Sequence, residues 1–482
     1  MGVAARSGPA TAYVPRRPER TLLHEVVARE LPAFVGRAHE HGRRIPPFVE
    51  RTFRDYLACG DPARGFVRLR CRRCGCERAL AFSCKRRGVC PSCNGRRMAD
   101  VAADLVDFVL PTVAVRQWVL TLPFSLRYRL AYDRTLIGPV LGAFVRALFR
   151  SIRRRVRDRY GVGDARCGAV TFVQRFGGAL NLNVHFHTLA LEGAYKVWPA
   201  EGRLRWLPLP APTDGDVREV LADSALRIAR QLRRAGIVGV DDGTDPDDPL
   251  SSGDPLLATL YAAAVQGRTA LGAGAGQATP RLASGGFRRP AAKPAVPLCA
   301  VGHGMSLHAA VRVAASDRRR LERVCRYTAR PPLALERLSR TGQGRLAYEM
   351  RHPWRDGTTH VVFDGAELLA RLAALIPPPR QHQVRYHGIL APAAAWRDRV
   401  VPGRPARAGD AEVSAERGPT NRRGRRRWAE LLRRIFAVDA SLCPRCHTPM
   451  QQIAAIVTER VAAKILANLG ANERAPPRAA PA

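Results

Sequence analysis

Hydrophobic and polar positions alternate most clearly over Ala179–Leu191. There Leu180, Leu182, Val184 and Phe186 interleave with Asn181, Asn183, His185 and His187. A period of two predicts a strand with the apolar set on one face and both histidines on the other. Gly177-Gly178 precedes it, and Val170–Phe176 reads as its hairpin partner. A period of 3.6 shows best at Leu321, Val324, Cys325 and Thr328. It predicts a helix capped at Ser316/Asp317, running through Arg326 and ended by Arg330 and Pro331-Pro332. Further helices are expected over 21–58 (two, broken at Ile45-Pro46-Pro47), Val101–Leu110, a basic stretch of about Leu136–Tyr160, near 215–236, near 255–265, and Gly365–Leu375 before Pro377-Pro378-Pro379. A strand is expected at Arg116–Leu122, another before the Ser316 helix, and a hairpin over 344–363 turning at Asp356-Gly357.

Strands mixed with helices in this order predict an α/β (α+β) chain of several units. Residues 1–18 read as a loose tail and 19–99 as a helical and cysteine-rich unit. A central unit spans 100–400, with an insertion near 198–298 that ends in a Gly/Ala/Pro-rich stretch. A Pro/Gly/Arg linker at 401–427 and a Cys-x2-Cys module with a tail at 428–482 follow. No run of about 18 apolar residues stands out, so no transmembrane helix is expected. The first twenty residues lack an apolar secretory core, which predicts a cytoplasmic protein.

Charge narrows the choice of partner. The 482 residues carry 79 Lys+Arg against 41 Asp+Glu, a net +38. Lysine occurs only at positions 85, 196, 293 and 464, so nearly all of the positive charge is arginine, a bias that a GC-rich genome also produces. Such a chain calls for a polyanion, and nucleic acid is the first candidate. No basic amphipathic helix with an aromatic anchor supports a membrane surface instead.

Seven of the twelve cysteines lie between 59 and 93. In a reducing compartment such clustering reads as metal binding rather than disulfides. Cys71-x2-Cys74 and Cys90-x2-Cys93 stand fifteen residues apart. That spacing predicts one structural zinc held by Cys71, Cys74, Cys90 and Cys93. Cys59, Cys76 and Cys84 are left without an assigned role. The ribbon either only holds this region folded or also meets phosphates through residues such as Arg86, Arg87, Arg96 and Arg97. Cys443-Pro444-Arg445-Cys446-His447 offers three ligands, too few for a closed site within its own module; a distant cysteine, a water or no metal are all open.

Two histidines at i and i+2 on a rigid strand can share one divalent ion such as Mn²⁺ or Mg²⁺. They can equally be two polar residues on a sheet face. Tyr327 sits at the border of its helix's apolar stripe, with Arg320 and Arg323 on that side. A phenol is a poor nucleophile at neutral pH, and flanking guanidinium groups such as those of Arg320, Arg323 and Arg330 would favour its anion and hold a phosphate. A tyrosine packed on the core with its hydroxyl in water is the alternative.

Taken together, the motifs resemble a known family. His185-Phe186-His187 is similar to the His-hydrophobe-His signature of the HUH endonucleases. SCKRRGVCPSCNGRR resembles the zinc-binding domain of rolling-circle insertion-sequence transposases in that superfamily. VRQWVLTLPFSLR, HFHTLALEG, CRYTARPPLALERL and RYHGILAP are similar to the same family, in its order, from about residue 20 to 400. The resemblance implies an antiparallel-sheet HUH core in 100–400, an N-terminal helical and zinc-ribbon domain, and a C-terminal helical extension. It also implies a bacterial enzyme that nicks and joins single-stranded DNA at insertion-element ends. Tyr327 would form a 5′-phosphotyrosine, and His185 and His187 would hold catalytic Mg²⁺ or Mn²⁺. Family members often carry a second tyrosine four residues before the first; here that residue is Arg323, which makes this a single-tyrosine variant. Gln174, Glu192 and His308 lie near enough to be weighed as a third ligand, and none is chosen. A zinc-ribbon DNA-binding regulator that cuts nothing is the alternative reading.

Overall fold

The computed structural model describes residues 17–40, 44–237, 248–272, 274–283, 297–354, 356–403, 430–431, 434 and 441–468. In chain order the elements are α1 (Leu22–Glu40), α2 (Pro47–Leu57), β1 (Phe66–Cys71), β2 (Glu77–Ala81), α3 (Pro91–Phe108), β3 (Val115–Thr121), α4 (Phe124–Tyr132), α5 (Arg134–Tyr160), β4 (Gly168–Phe176) and β5 (Leu182–Leu191). Then follow β6 (Gly193–Trp198), β7 (Arg203–Pro208), α6 (Asp214–Arg234), α7 (Pro249–Gly253), α8 (Pro255–Gln266), β8 (Arg281–Ala283), β9 (Cys299–Gly302), β10 (Met305–His308), β11 (Arg312–Val313) and α9 (Arg318–Thr328). The last are β12 (Leu338–Arg340), β13 (Leu346–Glu349), β14 (Thr358–Phe363), α10 (Gly365–Leu375), β15 (Val384–Gly388), α11 (Arg397–Val400), β16 (Met450–Ile456) and α12 (Glu459–Asn468).

The fold is α+β, with antiparallel sheets. Its centre is a seven-stranded sheet in the order β15-β4-β5-β3-β10-β9, with β11 also paired to β3. β5 lies in the interior, with β4 on one side and β3 on the other. Helices cover both faces. Leu182, Val184 and Phe186 join the core made with α4, α5, α6 and α8. Leu189 and Leu191, on the opposite face, join a second core with α3 and α9. The histidine face was expected to be simply polar. It is instead covered, because past His187 it continues as Leu189 and Leu191 and therefore needs a helical lid.

Local chemistry sets the helices that matter. Asp133 caps α5 by accepting from the Thr135 and Leu136 amides, and Gly161 closes it in the left-handed region at φ +67. Among the described residues α5 is the one helix long and apolar enough to cross a membrane, and 67% of that stretch is buried inside the protein. Asp317 caps α9 through the Arg320 amide. Its stripe is as expected, with Leu321, Cys325 and Thr328 buried. α3 starts ten residues earlier than expected: Cys90 precedes it and Pro91 occupies its first turn, where the missing N–H costs nothing. The stretch expected as an insertion packs firmly where it is described, α6 against α5 and α8 against α4 and α10. A second, three-stranded sheet has the order β16-β1-β2 and joins the two ends of the chain. The greater part of the expected linker, from residue 404 on, lies outside the described residues.

Candidate active site

His185 and His187 project from β5 toward α9, and both are nearly enclosed. Their Nε2 atoms stand 3.0 Å apart. Two donors at neighbouring octahedral positions, each with a bond of ~2.1 Å, would lie about 3.0 Å apart. The other ring nitrogens are anchored: His185 Nδ1 donates to the Asn183 carbonyl at 2.8 Å, and His187 Nδ1 meets the Gln117 side-chain amide at 2.9 Å. If Gln117 turns its oxygen to His187 Nδ1–H, both Nε2 atoms are left with a free lone pair, as binding to a cation requires. Burial lowers His185 to about 4 and holds His187 well below its ordinary value. Both rings are therefore neutral near pH 7, as ligands must be.

Oxygen donors stand beside them. Gln174 faces His185 across the β4–β5 ladder, and Asn183 shares the histidine face of β5. Gln174 Oε1 and Asn183 Oδ1 are buried without a hydrogen-bond partner among the described residues. Leaving an amide oxygen buried and unpaired costs on the order of 1–3 kcal/mol. Two imidazole nitrogens, with unpaired amide oxygens at the facing β4 position and on the same face of β5, are donor types that suit a hard divalent cation. Glu192, weighed as a ligand from sequence, is used elsewhere: both its oxygens pair with Arg116 and Arg312 at the far end of β5. His308 lies two strands from His187, on the far side of Val119.

Tyr327 comes from α9. Its ring meets His187 edge-on, with centroids 6.2 Å apart and planes at 77°. It is 38% exposed, so a substrate can reach it. The Arg330 guanidinium lies 4.2 Å from the ring centroid and that of Arg351 5.0 Å. Arg330 Nη1 is buried with no hydrogen-bond partner among the described residues, a donor in want of an anion. Gln174 Nε2 donates to the Thr328 carbonyl at 2.6 Å, which ties the C-terminal turn of α9 to the strand beside the histidines. Arg320 and Arg323 are exposed on the same helix. Gln117 and Arg351 are the residues that sequence reasoning missed. Gln117 is a polar break in an apolar strand, a usable signal; Arg351 lies in a loop and had none.

The cysteines are arranged differently from the expected single site. Cys59, Cys84, Cys90 and Cys93 form one four-thiol cluster, and Cys71, Cys74, Cys443 and Cys446 form another. The grouping of Cys71, Cys74, Cys90 and Cys93 around one ion is thus corrected. The β1–β2 hairpin explains it. Cys71 and Cys74 lie at its turn, whereas Cys59 precedes it and Cys84 follows it, and six strand residues separate the two ends by about 17 Å. In the first cluster the Sγ distances are 3.7 Å for Cys59–Cys93, 3.4 Å for Cys84–Cys93 and 3.6 Å for Cys59–Cys90. Four Zn–S bonds of ~2.3 Å put tetrahedral sulfurs about 3.8 Å apart, so the set fits zinc. Of the arginines beside it, Arg86 pairs with Asp55, Arg87 donates to the Gln381 carbonyl and Arg97 to that of Lys85.

Residues 263–397, which include Tyr327, match the family described as "Putative transposase". Residues 30–122 match the family described as "Transposase zinc-binding domain". Both matches are to transposase families, and they support a transposase function with an N-terminal zinc-binding domain. These are the two parts that the rolling-circle insertion-sequence resemblance implies. A transposase function implies DNA binding, and the zinc-binding domain match together with the four-thiol clusters supports structural zinc. The histidine strand falls between the two matched segments, and Cys443 and Cys446 lie beyond both. Neither a curated protein nor a solved structure matches the chain.

Proposed function

We propose that this transposase nicks and joins single-stranded DNA at insertion-element ends, through a 5′-phosphotyrosine on Tyr327 and with a divalent cation at His185 and His187. The observation that carries the reading is the contact between Tyr327 and His187, beside two Nε2 atoms 3.0 Å apart. The Tyr327 oxygen attacks the scissile phosphorus and gives up its proton. The bond from phosphorus to the 3′ oxygen breaks, and that oxygen leaves as a 3′-OH after taking a proton. Mg²⁺ or Mn²⁺ held there supplies polarisation of the phosphate as charge builds on its oxygens. Arg330 and Arg351 hold the negative strand against the nucleophile, and Gln117 keeps His187 in register. Joining is the reverse step, with a 3′-OH attacking the phosphotyrosine and releasing the phenol. With Arg323 one turn before it on α9, Tyr327 serves each covalent step in turn.

The test is to incubate the protein with end-labelled single-stranded element ends and Mn²⁺ and to resolve the products under denaturing conditions. A covalent protein–DNA adduct absent from Tyr327→Phe is expected. Cleavage that survives Tyr327→Phe but not His185→Ala would point to activated water. Binding without any cleavage would point to a regulator.

A further inference from the structure

We propose that Cys71, Cys74, Cys443 and Cys446 hold a second zinc ion, which clasps the C-terminal strand to the N-terminal ribbon. The four sulfurs lie within 4.8 Å of one another. Their distances are 3.4 Å for Cys71–Cys446, 3.5 Å for Cys74–Cys443 and 3.5 Å for Cys74–Cys446. These approach the edge of a ZnS₄ tetrahedron and are far from the ~2.05 Å of a disulfide.

The two halves are the same knuckle built twice. The Gly75 amide returns to the Cys71 carbonyl at 3.0 Å, and the His447 amide to the Cys443 carbonyl at 2.9 Å. The Cys71 amide donates to the Cys76 carbonyl at 2.8 Å, and the Cys443 amide to that of Thr448 at 2.8 Å. The residue after each second cysteine has a left-handed backbone, Gly75 at φ +68 and His447 at φ +54. Such a conformation is unfavourable for histidine, and here it turns the chain so that both sulfurs of its half face the other pair. Thr448 Oγ1 stands 3.1 Å from Cys71 Sγ and 3.0 Å from Cys446 Sγ, placed to donate to either thiolate. Four thiolates around Zn²⁺ leave a net charge of −2, and Arg72, Arg73 and Arg445 lie within the two knuckles to offset it.

Strand pairing continues from the cluster. β16 pairs with β1 from Cys71↔Met450 to Phe66↔Ile456, and Arg72–Gln451 and Arg64–Glu459 contacts line it. The ion would thus cross-link residues 369 to 375 positions apart and hold β16 over the edge of β1. The zinc-binding family match ends at residue 122, so half of this ligand set lies outside it.

Metal analysis of the full-length protein, purified under reducing conditions, tests the assignment without reference to strand transfer. Two zinc ions per chain are expected. One should remain in Cys443→Ser/Cys446→Ser, held by the cluster of Cys59, Cys84, Cys90 and Cys93. That retained ion reports a folded N-terminal domain. Replacing zinc by Co²⁺ should halve the thiolate-to-metal absorption in the same variant, and limited proteolysis should release residues 441–468 from the variant while leaving them attached in the parent. One zinc in the parent chain, or two in the variant, would overturn the proposal.

Discussion

The ring of Tyr327 stands edge-on to that of His187, 6.2 Å between centroids. This sets the hydroxyl of one element beside the nitrogen pair of another, although the two residues are 140 positions apart. Tyr327→Phe keeps the ring, its contact with His187 and its stacking under Arg330. Single-stranded DNA affinity should therefore change by no more than about twofold, while covalent adduct formation falls by at least ~10³. A filter-binding assay run beside the denaturing gel separates the two effects. A parallel loss of binding would show that the tyrosine serves to hold DNA rather than to attack it.

Gln117 touches His187 and not the proposed cation site, so its role is positioning. Removing such an outer partner typically weakens metal affinity by 10–100-fold. Gln117→Ala should raise the Mn²⁺ concentration for half-maximal cleavage by about that factor, with the rate at saturating Mn²⁺ much less affected. Gln117→Glu, which still accepts from His187 Nδ1–H, should recover most of the affinity. A Gln117→Ala protein with an unchanged Mn²⁺ requirement would mean that the contact is only packing.

The contrast between these two residues shows what the chain discloses by pattern. The histidine strand, the α9 stripe and the His-x-His spacing are periodic, so sequence located β5, α9 and the residues they present. Gln117 and Arg351 reach the site through tertiary placement, from a neighbouring strand and a loop. The cysteines failed differently. Cys-x2-Cys spacing reports that a knuckle exists but not which knuckle it faces, and the strand β2 between the two knuckles carries them to opposite ends of the hairpin. The match of Cys71 and Cys74 with Cys443 and Cys446 depends on β16 pairing with β1, a contact with no local signature. The covered histidine face was legible in hindsight from Leu189 and Leu191 alone.

Neighbouring arginines on α9 separate structural from DNA-directed charge. Arg318 donates to the carbonyls of Val106, Leu110 (2.9 Å) and Pro111 (3.1 Å), satisfying the C-terminal end of α3. Arg320 and Arg323 are exposed on the helix that bears Tyr327. Arg318→Ala should lower stability by about 1–3 kcal/mol in urea unfolding, with an unchanged salt dependence of DNA binding. Arg320→Ala and Arg323→Ala should leave the unfolding midpoint in place and each flatten the slope of log K against log salt by roughly 0.7 on single strands. Equal slopes in all variants would remove these two arginines from the DNA interface.

His387 gives the protein an acid weakness away from the histidine pair. It lies on β15 with Nε2 3.1 Å from the Thr171 hydroxyl, and burial, aided by the nearby Arg385 charge, lowers it to about 4. The unfolded chain binds this proton near 6.5. Between those values the unfolded state holds more protons than the folded one, so stability falls as the pH drops from about 6.5 to 4 and is unaffected by this group above that window. The full effect is on the order of 3 kcal/mol for the site. His387→Asn should lose some stability at pH 7.5, where the imidazole packs well, yet decline less steeply than the parent on acidification. Urea midpoints at half-unit steps from pH 7.5 to 4.5 measure the difference, and parallel curves would place the acid sensitivity on other groups.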